Sequence, residues 1–191
     1  LNALFVIGGI YANQVIGMTL TQVLILGIIL NLFAGPSSIL GGYFNDRIGS
    51  KNVINISLWG LLISGILALS MDQTTIFYFI EVAKFSPEVE RLTMGVFNSI
   101  SQVVYIFVVI GIATFYGPTQ TAARALMAKL SPPDKTTEFF GLYAFAGKST
   151  SWLVPGLMSL ILIFDNNLRN AMLVIMLFNI LGIIMMRLSL I

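Results

Sequence analysis

Residues 92–123, LTMGVFNSISQVVYIFVVIGIATFYGPTQTAA, contain no charged side chain and no regular alternation of polar and apolar residues. A helix that crosses the hydrocarbon core of a bilayer needs about 20 mainly apolar residues. Inside lipid the backbone must satisfy its own hydrogen bonds, and a helix does so within a single segment. This stretch therefore predicts a membrane-spanning helix.

The composition of the whole chain is also that of a membrane protein. Of its 191 residues, 57% are hydrophobic and 9% are charged, whereas a soluble domain carries about 25% charged residues. So few charges cannot cover a globule of this size with solvated side chains, and we expect the lipid bilayer to surround the chain. The net charge of +2 includes no basic tract, which excludes nucleic acid as a partner.

The sequence contains no His and no Cys. The lack of His removes the usual general base and zinc ligand, and the lack of Cys excludes disulfides and thiolate metal sites. We therefore predict that the protein is not an enzyme and that it holds no cofactor and no metal. Lys148 and Ser149 are the one candidate for a catalytic dyad, but adjacent helical residues face different directions.

Turn signals divide the chain into six apolar segments, and long apolar runs without alternation predict helices. The segments are residues 1–16, 20–43, 53–70, 97–130, 138–164 and 168–190. The predicted fold class is an all-α membrane protein with six transmembrane helices. Because the chain is apolar from Leu1, with no initiator Met and no flanking charge, we expect a truncated first helix in the C-terminal part of a larger protein.

The longest connection, residues 71–94, is mixed in composition. We expect residues 76–85 to lie along the membrane interface as an amphipathic segment. Ser86 and Pro87 are followed by acidic residues, a pattern that predicts a helix start with Ser as its cap.

The distribution of Lys and Arg predicts the orientation of the helices. Six bases lie on the side of the 43–53 connection, the 124–138 region and the C-terminus, and three lie on the opposite side. We expect the first side, including the C-terminus, to be cytoplasmic.

Residues 42–51, GYFNDRIGSK, predict a tight turn between the second and third helices. Glycine lets the backbone reverse, and the bases keep the turn on the inner side of the membrane. Asp46 is able to cap a neighbouring helix N-terminus. These features also suit an ordinary hairpin with positive charges on its inner side.

The spacing resembles the G-x-x-x-D-R-x-G-x-K signature of major facilitator transporters, which occurs between the second and third helices of each half. The matching residues are Gly42, Asp46, Arg47, Gly49 and Lys51. The resemblance implies that this turn acts in conformational switching. Ser50 stands where the signature usually has a base.

A second set of motifs narrows the resemblance. Residues 117–125 (GPTQTAARA), 138–143 (EFFGLY), 147–148 (GK) and 155–156 (PG) follow one another in close order. They are similar to the vacuolar-effluxer branch of the major facilitators, the family named after the autophagy-related vacuolar amino acid effluxer. Ala125 replaces the Ser of that family, and the Pro-Gly order reverses its usual Gly-Pro.

The resemblance implies twelve helices in two six-helix halves around a midplane cavity, with transport by rocking one half against the other. Residues 1–191 would be the C-terminal half, and the missing N-terminal half and a small-molecule substrate are expected partners. The implied function is secondary active efflux of a small polar solute, namely an amino acid, and we expect a multi-pass protein of a bacterial inner (plasma) membrane. The alternative is a self-contained, channel-like or structural six-helix protein that acts as a homodimer.

Polar residues in the fourth segment predict one part of a substrate site. Tyr116, Gln120 and Arg124 are spaced four residues apart and so share one helix face. The Gly117-Pro118 pair beside them can kink the helix and open backbone carbonyls to a cavity. For Arg124 the alternative is a role as an anchor at the inner end of the helix. The same face continues toward the helix start through Tyr105 and Gln102.

Lys148 and Trp152 in the fifth segment predict the other part of the substrate site. Lys148 lies about 15 Å along the predicted helix, at 1.5 Å per residue. An ammonium near the middle of a bilayer is costly unless it meets water or an acceptor, which makes Lys148 a candidate functional residue. The alternative is that Lys148 extends to the inner interface.

Asn31 in the second segment is a further candidate for the substrate site. It either lines the pathway or binds a neighbouring helix.

Overall fold

The computed structural model describes residues 2–76, 80–81 and 97–188. Its helices are α1 (Asn2–Gln14), α2 (Leu20–Ile48), α3 (Ser50–Leu69), α4 (Ile100–Leu130), α5 (Thr136–Ser149), α6 (Leu153–Asp165) and α7 (Leu168–Leu188). Two short strands, β1 (Thr75–Ile76) and β2 (Ile80–Glu81), pair antiparallel with Thr75 opposite Glu81.

Five parts of the described chain are long and apolar enough to cross a membrane: α2, α3, α4, α5 together with α6, and α7. The predicted all-α membrane fold is confirmed, with the helices in the predicted order. Helix α1 has 13 residues, fewer than the roughly 20 that a span requires. The small β ladder was not predicted.

The predicted features of the long connection fall mostly outside the described residues. Of the predicted interfacial segment 76–85, the structure describes residues 76, 80 and 81, which form strand. The predicted helix start at Ser86 and Pro87 lies wholly outside the described residues.

Helix α2 extends five residues beyond its predicted end at Tyr43, and its connection to α3 is the single residue Gly49. Gly49 has a φ of +83°, in a region that side chains with a Cβ rarely adopt. Its N–H makes the last α-helical hydrogen bond of α2, to the Asn45 carbonyl at 3.1 Å, and the positive φ then ends the helix. The predicted turn is therefore much tighter than a ten-residue loop.

The predicted single helix at 138–164 is interrupted between Ser149 and Leu153. Pro155 has no N–H to donate to the Ser151 carbonyl, so one α-helical hydrogen bond is missing at this point. Proline is well tolerated in the first turn of a helix, and a new helix accordingly begins just before it. The prediction of one regular helix here was wrong.

Helix α4 lies at the centre of the bundle and packs closely on α2 through small residues. A Cβ at Gly117 would lie 2.7 Å from the Ala34 carbonyl oxygen of α2. The Ser37 hydroxyl donates to the Ala113 carbonyl at 3.1 Å, and the Thr121 hydroxyl donates to the Ser38 carbonyl at 3.3 Å. Such small residues allow membrane helices to approach until backbone and side chain make contact.

Polar contacts hold the chain together where α3 ends. The Tyr11 hydroxyl of α1 donates to the carbonyls of Leu69 and Met71 at 3.3 and 3.2 Å. From the start of α7, the Arg169 guanidinium donates to the Met71 carbonyl at 3.0 Å and pairs with Asp72 at 3.0 Å. These contacts join α1 and α7 to the same short connection.

Arg169→Ala is expected to lower the free energy of unfolding by about 1 kcal/mol, the upper end of the range for an exposed ion pair. The effect is small because the side chains of Arg169 and its partner Asp72 are 24% and 42% exposed. A double-mutant cycle with Asp72→Asn, measured by detergent unfolding of the full-length protein, isolates the pair from other contacts of Arg169. Lys135→Ala is the exposed control, and a coupling energy of zero would contradict the prediction.

Candidate functional site

The structure brings the three predicted residues of α4 together on one face. The Tyr116 and Gln120 side chains are hydrogen-bonded to each other, and Arg124 is near enough to interact electrostatically with Tyr116. Tyr116 and Gln120 are half-buried, and Arg124 is exposed. This cluster offers a hydroxyl, an amide and a guanidinium to an anionic or polar group.

The other polar residues predicted on this face of α4 are committed to neighbouring helices. Gln102 is buried, accepts from the Gln22 amide at 3.3 Å and donates to the Gly17 carbonyl at 3.3 Å. The Tyr105 ring stacks on Tyr11 with 6.3 Å between the ring centres. Both residues therefore link α4 to α1 and α2.

A cavity of about 380 Å³ lies between α1, α2 and α4. Its lining is mostly aliphatic and glycine, with Tyr105 on one side and Asn31 on another. The Asn31 amide donates to the Gly27 carbonyl at 2.8 Å, one turn back on α2. Asn31 is thus placed at a cavity, and Gly8, Gly9 and Gly27, which leave room for it, are the lining residues that sequence reasoning missed.

Lys148 and Trp152 lie at the two ends of the interruption between α5 and α6. Lys148 is exposed, and Trp152 is 68% exposed. No residue of α5 is buried. The dihedral angles of Thr150 and Trp152 stay near helical values, and α5 and α6 together are a 30-residue segment that is long and apolar enough to cross a membrane. The two predicted residues are close in the chain but do not share one regular helix.

The signature residues occupy the helix ends on both sides of the turn. Gly42, Asp46 and Arg47 lie in the last two turns of α2, Gly49 is the connection, and Lys51 lies in the first turn of α3.

Asp46 does not cap a helix as predicted. In the described chain no side chain caps the N-terminus of α3, because Asp46 precedes the turn on the exposed surface of α2. It accepts a hydrogen bond from the Asn45 amide at 3.4 Å. Arg47 lies over the Tyr43 ring, 4.4 Å from its centre, which keeps its charge beside the turn.

The turn contacts the far end of α4. Ser50, which stands in place of a base, is buried and accepts a hydrogen bond from the Lys129 ammonium at 3.4 Å. A positive charge of α4 therefore lies beside this position of the turn. Among the described residues, no group of acidic side chains is suited to hold a metal ion.

Comparison with known proteins identifies relatives that match this chain over only part of their own length. The chain is 28% identical over 160 residues to Autophagy-related protein 22 from two serotype D strains of Cryptococcus neoformans var. neoformans. The match covers 84% of this chain but 27% and 26% of those relatives, so the chain spans about a quarter of their length. No solved structure matches the chain.

These comparisons correct the predicted location. A bacterial inner membrane was expected, but the matching relatives are fungal. The description of the matching family names the vacuole. Both findings point to a eukaryotic vacuolar membrane. The apolar composition predicts a membrane protein but does not distinguish between these two membranes. The family model described as "Vacuole effluxer Atg22 like" matches residues 1–190, and the chain therefore belongs to this family of membrane effluxers.

Proposed function

We propose that residues 1–191 form one half of a secondary active transporter that moves an amino acid across the vacuolar membrane by alternating access. The observation that carries this proposal is the position of Lys148. It lies twelve residues after Thr136, about 18 Å into the α5–α6 span at 1.5 Å per residue. That depth is near the middle of a hydrocarbon core about 30 Å thick.

An exposed ammonium at this depth requires water or an acceptor. In the described part of the chain no ion pair involves Lys148, and a charge facing lipid there would be costly. A water-filled cavity between two halves of a transporter meets the requirement. Since an ammonium binds carboxylates strongly, a substrate that carries a carboxylate suits the site.

The helices differ in how closely they pack, and this difference supports the proposal. Close contacts through Gly117 and Ser37 join α2 and α4. Helix α5, in contrast, has no buried residue. We propose that the surface of α5 faces the transport pathway, and that the missing N-terminal half covers the other side of the pathway.

The proposal is tested with the purified full-length protein in proteoliposomes. Labelled amino acids are supplied outside vesicles that are loaded with the same unlabelled compounds. We expect saturable counterflow with the full-length protein and none with residues 1–191 alone, because half of a cavity cannot alternate access. Lack of counterflow by the full-length protein would contradict the proposal, and saturable flux from residues 1–191 alone would favour the homodimer.

Asp46→Asn in the full-length protein is expected to lower the maximal rate about tenfold while KM changes less than about twofold. The physical reason is that Asp46 lies at the end of α2, beside the turn to α3, so we expect it to affect the conformational step and not substrate contact. Initial rates over a range of substrate concentrations separate the two parameters. Asp134→Asn, at the exposed turn after α4, is the matched control, and a raised KM at normal maximal rate would contradict the prediction.

A further inference from the structure

One face of α4 lines a cavity in the first half of the helix and carries polar side chains in the second half. Val109 lines the cavity between α1, α2 and α4. Tyr116, Gln120 and Arg124 follow it at intervals of seven, four and four residues. Such intervals keep all four side chains on one side of a helix. This face therefore leads from the cavity toward the end of α4.

The helices that pack on α4 contact its other faces. Gly117 and Thr121 lie against α2, and Phe115 packs against Gly60 of α3. The polar face is left partly open, and its last residue, Arg124, is exposed. Among the residues that the structure describes, no carboxylate forms an ion pair with Arg124. The guanidinium is thus available to an anionic ligand.

The depth of these residues can be compared with that of Lys148, because α4 ends and α5 begins at the same short turn, residues 131–135. At 1.5 Å per residue, Tyr116 lies about 21 Å and Arg124 about 9 Å before the end of α4, whereas Lys148 lies about 18 Å into the α5–α6 span. Tyr116 is therefore close to the depth of Lys148. Arg124 lies about 9 Å nearer to the side that is predicted to be cytoplasmic.

We propose that Arg124 and Gln120 form a second site for the carboxylate of the transported amino acid, on the cytoplasmic side of Lys148. This inference rests on the proposed function. Tyr116 is hydrogen-bonded to Gln120 and interacts electrostatically with Arg124, so the structure already holds the three side chains together. A guanidinium binds a carboxylate through two parallel hydrogen bonds, and an amide offers further N–H donors. An amino acid that leaves Lys148 meets this site before it reaches the cytoplasm.

The test measures affinity separately on the two sides of the membrane. Intact vacuoles, whose cytosolic face is outward, are isolated from a host that lacks this transport activity and expresses the full-length protein. Initial efflux of a labelled amino acid gives the internal KM. Unlabelled amino acid added outside gives the external concentration that produces half of its effect on efflux. We expect Arg124→Gln to raise this external concentration about tenfold, because a hydrogen bond to a charged group is lost, and to change the internal KM less than about twofold.

A second variant removes a neutral member of the site, and each variant has a matched control. Gln120→Leu should raise the external concentration about fivefold, the effect of losing an uncharged donor. Thr114→Val is its control, because Thr114 is exposed on another face of α4 and its hydroxyl donates within that helix. Lys135→Gln, which removes an exposed positive charge at the turn after α4, is the control for Arg124→Gln. Both controls should leave the external concentration unchanged.

Three outcomes would overturn the inference. The first is an unchanged external concentration in Arg124→Gln. The second is a change in Arg124→Gln with none in Gln120→Leu, because a positive anchor at the membrane interface would explain it. The third is an equal rise of the internal KM in Arg124→Gln, because Arg124 and Lys148 would then bind the same carboxylate.

A binding measurement separates failure of this inference from failure of the proposed function. Absence of efflux by the wild-type protein contradicts the function. The inference is then tested by thermal stabilisation of the full-length protein in detergent, with the L-amino acid that stabilises it most. Lys148→Ala should still bind that amino acid, and the double variant with Arg124→Gln should not. Complete loss of binding in Lys148→Ala alone would overturn the second site.

Discussion

Lys148→Ala in the full-length protein is expected to reduce amino acid transport about 100-fold or more while expression and membrane insertion persist. We expect bound substrate to exclude water from its contact with Lys148, and truncating one partner of a buried charge pair costs about 2–5 kcal/mol, a range that includes a 100-fold loss. Removing a charge from the middle of a span makes insertion easier, so a folding defect is not the expected cause. Counterflow in proteoliposomes with equal amounts of inserted protein measures the effect.

Two further variants separate a binding role of Lys148 from a surface role. Lys148→Arg should restore little transport, because the guanidinium is larger and planar, and Lys135→Ala, at the exposed turn after α4, should be close to normal. Lys148→Cys should react with a water-soluble thiol reagent, and substrate should slow the reaction. Normal transport by Lys148→Ala would mean that the ammonium extends to the interface, and the site would then have to be sought at Tyr116, Gln120 and Arg124.

Gly117→Val is expected to lower the free energy of unfolding by about 3 kcal/mol, at the upper end of the usual cost of overpacking. The added Cβ would lie 2.7 Å from both the Ala34 carbonyl oxygen and the Ser38 amide nitrogen of α2. Both atoms belong to the backbone, so relief requires the two helices to move apart. Thermal unfolding of the full-length protein, followed by size-exclusion chromatography, measures the loss.

The control for this variant is Gly141→Val in α5. A Cβ at Gly141 would meet no atom within 4 Å, so the substitution changes intrinsic helix propensity by only a few tenths of a kcal/mol. Comparable destabilisation by the two variants would contradict a role for close α2–α4 packing. The comparison separates steric contact from any general cost of replacing glycine in a span.

The sequence alone was sufficient for the class of protein and for the order of its helices. The predicted fourth and sixth segments, 97–130 and 168–190, agree with α4 and α7 to within three residues at each end. The agreement has a physical cause: the thickness of the hydrocarbon core sets a minimum length for an uncharged run. The local motifs were also sufficient to indicate the family, because they depend on residue types at fixed spacing.

The sequence was less informative at the ends of the second and fifth segments. Charged Asp46 and Arg47 suggested a loop, but both can extend from the end of α2 into the interface while the backbone remains helical. The predicted fifth segment contains Pro155, and whether a helix bends or restarts at a proline depends on the contacts around it. In α5, with no buried residue, few neighbouring contacts hold the helix straight.

The partners of the polar residues were decided only by the tertiary structure. In lipid a polar side chain needs a hydrogen-bond partner, and this need is visible in the sequence at Gln102, Tyr105 and Gln120 alike. Gln102 and Tyr105 find their partners on α1, α2 and the connection between them, whereas Gln120 joins Tyr116 on the same helix. Which faces meet depends on small residues such as Gly117, because helices approach where side-chain volume is lowest. The sequence therefore determined that these groups require partners, and packing between helices determined which groups serve the fold and which remain available to a ligand.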